Sequence, residues 1–176
     1  MCELTSGYNK ICDLAGGVDT WYIFANKDSN GDSNYATYVE ANGQITDLTL
    51  VAGKYAFPFN VEIETSSFTD TAVGERANGS YAREQQATII LHGNTSTMIR
   101  DIEDMCKGRV TVIAKMNDGT YEVLFGVNGG KASNERASGT AFEDMNGNTL
   151  TITGKETVQA PKISSALVLA LLAPTS

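Results

Sequence analysis

The sequence is poor in the residues that build several common kinds of site. It has one His, three Cys and three Pro in 176 residues, and its 13 Lys and Arg residues are scattered. Proteins that grip nucleic acid need clustered positive charge, so this scatter and the formal net charge of −8 argue against such a role. A chain of this length is expected to form a single domain with a sizeable core.

The three cysteines are Cys2, Cys12 and Cys106, and an odd number in a chain of this length does not predict a disulfide framework. Whether Cys2 and Cys12 pair is left open by the sequence. The first residues lack the basic and apolar segments of a signal peptide, so we expect synthesis in the cytoplasm. The most apolar stretch, residues 163–172, is far shorter than the ~20 residues that cross a bilayer. We therefore expect no membrane partner.

Residues with catalytic or metal-binding chemistry do not form a recognisable motif. His92 is the only histidine, and the sequence has no phosphate-binding glycine loop and no close pair of zinc ligands. Residues 28–34 alternate oxygen-bearing side chains like the start of a calcium loop, but the sixth position is Ser33 and the twelfth is Val39. We expect a non-enzymatic protein with no catalytic residue, no metal and no cofactor.

Signals for β-strands and tight turns are dense. Residues 21–25 are aromatic and β-branched, and residues 149–153 follow the turn Asn146-Gly147-Asn148. Asn42-Gly43 predicts a hairpin between residues 35–40 and 44–51, because both residues tolerate a positive φ. A second hairpin is predicted around residues 117–119, between 110–116 and 120–127. Residues 57–65 and 81–91 are two further predicted strands, and both are candidate edges for association with other chains.

One segment has helical periodicity. Met98, Ile99, Ile102, Met105 and Cys106 form one apolar stripe over residues 97–107, with Thr95 or Ser96 as the N-cap. Gly108 follows the last turn. The sequence therefore predicts a mostly β, antiparallel sandwich or barrel with one flanking α-helix at about residues 95–107. Residues 1–18 are an N-terminal arm, and residues 163–176 are a closing segment that forms a buried strand or a short helix.

Two parts of this predicted domain are candidate functional surfaces. The alternation in residues 57–65 places Glu62 and Glu64 on a polar face, with Glu84 and Gln86 on the matching strand across the hairpin. The polar segment between the strands, residues 66–79, exceeds the usual hairpin length and predicts an assembly loop. Its residues of interest are Ser66, Phe68, Asp70, Val73, Glu75 and Arg76, with Phe68 and Val73 as anchors.

The order of these features resembles the major tail tube proteins of long-tailed bacteriophages, including virion structural proteins of phages of Bacteroidetes-type hosts. The resemblance covers most of the chain as an ordered pattern rather than as one motif. It rests on Cys2-Glu3-Leu4-Thr5-Ser6-Gly7, Cys12 and Gly16-Gly17 before the aromatic strand, on Phe57-Pro58-Phe59, on the helix leading into residues 109–115, on Asp144-Met145-Asn146-Gly147 and on residues 150–156.

The resemblance implies a β-sandwich or barrel whose copies form hexameric rings that stack into a tube. The partners would then be other copies of the chain, other tail proteins and DNA that passes without specific binding, and the location would be the virion tail. Under this hypothesis Glu62, Glu64, Glu84 and Gln86 face the lumen as a negative wall. Two alternatives stay open, namely another virion structural protein of the head, connector or capsid, and a ligand-binding β module.

Overall fold

A computed structural model of the chain describes Gly7 and residues 15–28, 30–31 and 34–174, and of Arg76 it describes the backbone alone. Most of the predicted arm at residues 1–18, including Cys2 and Cys12, therefore lies outside the described residues. Ser29, Asp32 and Ser33 of the calcium-like segment lie outside them as well.

The described residues form eleven strands and two α-helices, with one 3-10 turn at Arg76–Asn78. The helices are α1 (Ser96–Lys107) and α2 (Ser165–Ala170). The strands are β1 (Val18–Lys27), β2 (Ala36–Ala41), β3 (Gln44–Leu50), β4 (Phe57–Asn60), β5 (Ser67–Val73), β6 (Ala82–His92), β7 (Arg109–Met116), β8 (Tyr121–Leu124), β9 (Lys131–Ala137), β10 (Gly147–Glu156) and β11 (Lys162–Ile163).

The strands make two sheets. Sheet 1 has seven strands in the order β2-β3-β11-β8-β7-β1-β4, and sheet 2 has four in the order β5-β6-β10-β9. Every pair of neighbours is antiparallel except β11 with β3. The predicted mostly β sandwich with a flanking helix is confirmed. The single-helix prediction was incomplete, because the closing segment forms both β11 and the short helix α2.

The main core lies between the two sheets. Trp21 and Ile23 of sheet 1 face Ile89 and Ile152 of sheet 2, and all four are buried. A second buried cluster lies on the opposite face of sheet 1, beneath α2, and includes Phe24 next to Ile23 in the chain. The central strands of sheet 1 are thus buried on both faces, which explains why β1 is a continuous apolar run rather than an alternating one.

Local signals set the best-defined turns and α1. Asn42 and Gly43 have φ values of 54° and 78°, so the predicted hairpin between β2 and β3 is confirmed. Helix α1 begins after Thr95, whose hydroxyl accepts a hydrogen bond from the Met98 N–H at 3.3 Å. Within the predicted apolar stripe of α1, Ile102 is buried, whereas Ile99 is half exposed and lies at the edge of the buried side.

Candidate assembly surfaces

The predicted acidic face is not formed as the alternation indicated. Strand β4 ends at Asn60, and residues 61–66 cross from sheet 1 to sheet 2, so residues 57–65 are not one strand. Glu62 and Glu64 lie exposed in this connection, and Glu64 has a φ of 64°. The chain leaves sheet 1 here because its next strand, β5, pairs with β6 of sheet 2. The alternation would place Ile63 on the apolar side, opposite to Glu62 and Glu64, but Ile63 is 70% exposed.

Glu84 and Gln86 do lie on the outer face of sheet 2, where both are exposed. Their partners across the strands are not Glu62 and Glu64. Glu84 is opposite Thr71 on one side and Lys155 on the other, and Gln86 is opposite Thr69 and Thr153. The prediction of a shared face with Glu62 and Glu64 was therefore wrong.

The outer face of sheet 2 is rich in hydroxyl groups and balanced in charge. Directly opposed residues in a sheet point to the same side, so the strand register defines the members of this face. Its charged residues are Glu84, Glu135, Lys131 and Lys155, and its threonines are Thr69, Thr71, Thr88, Thr149, Thr151 and Thr153. The face is therefore not the negative wall that the sequence suggested.

The predicted assembly loop at residues 66–79 is mostly a strand. Strand β5 occupies Ser67–Val73 and pairs with β6 along its whole length, so only the 3-10 turn and its flanks remain outside the sheet. Ser66 is buried, and its hydroxyl accepts a hydrogen bond from the Ile90 N–H at 3.2 Å. Phe68 packs edge-to-face on Trp21, with ring centroids 6.3 Å apart. Phe68 is thus a core contact rather than the anchor of a loose loop.

The remaining residues of that segment form the turn between β5 and β6. Val73 is half-buried at the end of β5, and the Glu75 carboxylate accepts a hydrogen bond from Asn78 Nδ2 at 2.9 Å. Arg76 begins the 3-10 turn. The Asp70 carboxylate points inward and accepts from Arg83 Nε at 2.8 Å, from Gln85 Nε2 at 3.1 Å and from the Ala160 N–H at 2.7 Å. These bonds hold β5 to β6 and to the connection between β10 and β11.

The two edges of sheet 2 differ in their protection. Strand β9 carries Lys131, Glu135 and Arg136, and charged side chains on an edge limit unspecific pairing with unrelated strands. Strand β5 has seven residues without Pro, Gly or Lys, and its single charge is the inward-pointing Asp70. The predicted edge at residues 81–91 was wrong, because β6 is an interior strand between β5 and β10.

Strand β4 is the edge of sheet 1 on the same side of the sandwich as β5, since residues 61–66 join the two. It has four residues, and one of them is Pro58. Proline lacks the N–H that a pairing strand would need and is tolerated at sheet edges. The β4 edge is therefore poorly suited to pairing with another strand, and the β5 edge is the more available of the two.

A groove of about 830 Å³ separates β4 from α1. Phe57 and Phe59 form part of one wall, Met98 and Arg100 part of the other, and the buried Leu91 lies at its base. Neither the groove nor its lining is visible from sequence periodicity, because it is formed where three separate parts of the chain meet.

The loop between β9 and β10, residues 138–146, carries an exposed aromatic side chain. Phe142 at its tip is wholly exposed. The loop is ordered by Asp144, whose Oδ2 accepts hydrogen bonds from the Thr140 N–H at 2.7 Å and from the Ala141 N–H at 2.8 Å. The sequence offered one unused signal for this feature, a Phe within a Gly- and Asp-containing turn.

The buried ionisable groups belong to the interior rather than to a reactive site. Glu156 is 4% exposed, and its carboxylate accepts a hydrogen bond from the Asn128 N–H at 2.9 Å. Burial raises the pKa of Glu156. Burial, and next the Glu156 carboxylate, raise the pKa of Tyr38. His92 lies exposed at the end of β6, and within the described ranges no three His, Cys, Asp or Glu side chains come together as metal ligands.

Comparison with known proteins gave no relative: no family model, no curated protein and no solved structure matches the chain significantly. Among the described residues, no helix is long and apolar enough to cross a bilayer.

Proposed function

We propose that the protein is a non-enzymatic structural subunit that assembles with copies of itself through sheet 2. The observation that carries this proposal is the open edge of β5, a seven-residue strand with no Pro, Gly or Lys. An edge of this kind presents unpaired backbone N–H and C=O groups, and natural proteins protect such edges unless they are used for pairing.

The geometry of sheet 2 favours a head-to-tail contact between β5 of one copy and β9 of the next. The sheet has four strands that are antiparallel throughout, so its two edge strands run in opposite directions. Rotating one copy about a ring axis therefore places β5 and β9 antiparallel, as the rest of the sheet is. Both strands have seven residues, and a head-to-tail contact closes into a ring when the rotation permits.

The specific assembly that we propose is the stacked-ring tail tube of a long-tailed phage, with rings of six copies. The support is the ordered sequence resemblance together with a two-layer β domain, a flanking helix and a four-stranded sheet whose β5 edge is open. In this assembly the subunit belongs to the virion tail and meets other tail proteins. The outer face of sheet 2, with Glu84 and Gln86, lines the lumen.

This lumen would let DNA pass without holding it. Its hydroxyl groups and balanced charges provide no cluster of cations for phosphate groups, so counterion release would contribute little to binding. Glu62 and Glu64, in the connection between the sheets, are no longer candidates for the lumen wall.

The first test is to measure the assembly state of the purified chain by sedimentation velocity and negative-stain microscopy. We expect rings or tubes with a concentration-dependent sedimentation coefficient. Rings that stack into tubes favour the tail tube over a head or connector protein, for which isolated rings or no tubes are expected. A protein that stays monomeric at high concentration overturns the proposal.

A second test blocks the β5 edge. Consecutive residues of an edge strand point their N–H groups in opposite directions. One of the two variants Thr71→Pro and Ala72→Pro therefore loses a hydrogen bond to β6, and the other loses only the N–H that points away from the sheet. The variant that keeps the unfolding midpoint of the wild type is expected to stay monomeric. Normal rings from that folded variant would refute pairing through β5.

A further inference from the structure

The loop between β9 and β10 presents one large apolar side chain on an ordered support. Phe142 is wholly exposed, and the two backbone hydrogen bonds to Asp144 hold the turn on which it stands. Aromatic side chains of this kind contribute strongly to binding when they enter a pocket, because little conformational freedom is lost. The loop therefore holds Phe142 in position for a contact that is not made within the single chain.

The groove between β4 and α1 has the size and lining of a receptor for such a side chain. Its volume of about 830 Å³ lies within the ~300–1,000 Å³ of pockets that hold organic ligands. Its lining includes the buried Ile23 and Leu91 and the exposed ring of Phe57. A peptide loop with an aromatic tip matches this apolar lining.

Loop and groove lie at the same end of the sandwich, and the α1 wall of the groove packs against β9. Asn146 at the end of the loop accepts a hydrogen bond from the Gly93 N–H at 2.8 Å, and His92 beside it lines the groove. The loop leaves the β9 edge, whereas one wall of the groove is β4, on the side of the β5 edge. When β9 of one copy approaches β5 of the next, the loop of the first copy approaches the groove of the second.

The groove is lined by Arg100 and Arg109 and by Asp101 and Asp104, so its charges balance, and any pairing with the loop depends on a single side chain. The loop carries the exposed Glu143 beside Phe142. Arg100 stands at the groove with its side chain 77% exposed, and its ion-pair contact with Asp101 is as long as 4.0 Å. Arg100 is therefore a cation available to an incoming acidic loop.

We infer that the loop at residues 138–146 of one copy inserts Phe142 into the β4–α1 groove of the neighbouring copy, with Glu143 facing Arg100. The inference rests on the proposed function, since it adds a second contact to the same ring interface. It assigns the groove to a segment of this chain rather than to a small molecule.

The energetic test is a pair of matched truncations. Phe142→Ala is expected to raise the dissociation constant of the assembly about 30-fold, as loss of a hot-spot aromatic residue does. Leu169→Ala is the control, because Leu169 is 64% exposed on α2, away from loop and groove, and it is expected to leave the constant unchanged. Ala25→Trp fills the groove from an exposed position and is expected to weaken assembly like Phe142→Ala.

A charge exchange tests the orientation of the loop. Glu143→Arg and Arg100→Glu are each expected to weaken assembly, and the double variant is expected to recover most of the loss. Additive losses in the double variant would overturn the pairing of these two residues.

A crosslink identifies the partner directly. p-Benzoylphenylalanine at position 142, in a mixture of isotopically heavy and light chains, is expected to give mixed heavy–light crosslinks to residues 57–60 or to α1. Crosslinks elsewhere, or assemblies of Phe142→Ala with wild-type affinity, overturn the inference while leaving β5 pairing intact. A wild-type chain that never assembles overturns the proposed function as well, so the two failures are distinguishable.

Discussion

Arg83 donates from Nε to Asp70 Oδ1 at 2.8 Å, and this ion pair joins the open edge strand β5 to β6. The Asp70 carboxylate also accepts a hydrogen bond from Gln85 Nε2. The buried side-chain oxygen of Gln85 in turn accepts a hydrogen bond from the Phe125 N–H at 2.8 Å. One carboxylate thus connects the edge of sheet 2 to the end of β8 in sheet 1. The ion pair and these hydrogen bonds therefore fix β5, the edge proposed for assembly, to the interior of the domain.

Removing this carboxylate should destabilise the domain. Asp70→Ala leaves Gln85 Nε2 and the Ala160 N–H without their acceptor, and unsatisfied buried donors cost ~1–3 kcal/mol each. We expect the free energy of unfolding, measured by urea denaturation, to fall by about 3 kcal/mol. Thr71→Ala on the exposed face of the same strand is the control and should change it by less than ~0.5 kcal/mol. Equal effects would contradict the role given to Asp70.

The hairpin between β2 and β3 should depend on Gly43. Its φ of 78° is unfavourable for any residue with a Cβ, although a Cβ there would meet open space. Gly43→Ala is expected to lower the free energy of unfolding by about 1 kcal/mol. Gly16→Ala is the matched control, because it also has open space and no positive φ, and it should be neutral or slightly stabilising. Thermal unfolding of both variants distinguishes backbone strain from crowding.

The buried side of α1 should be sensitive to truncation and its outer side should not. Ile102 is 4% exposed and Ile99 is 50% exposed, three residues apart on the same helix. Ile102→Ala is expected to cost ~2–4 kcal/mol through lost burial and the cavity left behind. Ile99→Ala should cost less than ~0.5 kcal/mol. Denaturant midpoints check both values, and a large loss at Ile99 would show that the outer side of α1 is covered in solution.

The buried carboxyl of Glu156 should give stability a measurable pH dependence. Burial raises its pKa in the folded state above the unfolded value of about 4.5. Between the unfolded and the folded pKa, the folded protein then binds more protons than the unfolded chain. The stabilising contribution of the protonated carboxyl is therefore complete below the unfolded pKa and is lost as pH rises through the folded pKa. The variant Glu156→Gln keeps an acceptor for the Asn128 N–H and removes the charge.

The stability of Glu156→Gln relative to wild type is therefore expected to increase as pH rises through that window and to level off above it. Comparing the two proteins by urea denaturation at a series of pH values removes the contribution of Glu122, whose pKa is also raised by burial. A constant difference at all pH values would show that Glu156 titrates normally.

Features set by local chemistry were predictable from the sequence, and those set by distant pairing were not. The β2–β3 hairpin follows from Asn42-Gly43, and α1 follows from its cap and periodicity, because neighbouring residues decide both. Strand β5 was missed because Ser67-Phe68-Thr69-Asp70-Thr71 is polar enough to be interpreted as a loop. It becomes a strand through pairing with β6 and through the inward bonds of Asp70.

The candidate surfaces were even harder to predict from the sequence. Glu84 and Gln86 could be assigned to an exposed face from alternation, but their partners Thr71 and Lys155 depend on sheet order, which one sequence does not reveal. The β4–α1 groove combines segments that are far apart in the chain. Its presence, and the position of Phe142 relative to it, follow from tertiary structure alone.

The pairing of β1 with β7 has a consequence for synthesis. Lys115 Nζ donates to Asp19 Oδ2 at 2.9 Å, and the two residues are 96 positions apart in the chain. At ~5–20 residues per second, a ribosome needs roughly 5–20 s to make the intervening segment. During that interval the aromatic strand β1 can pair with β4 alone, and its other edge stays open until β7 has been made.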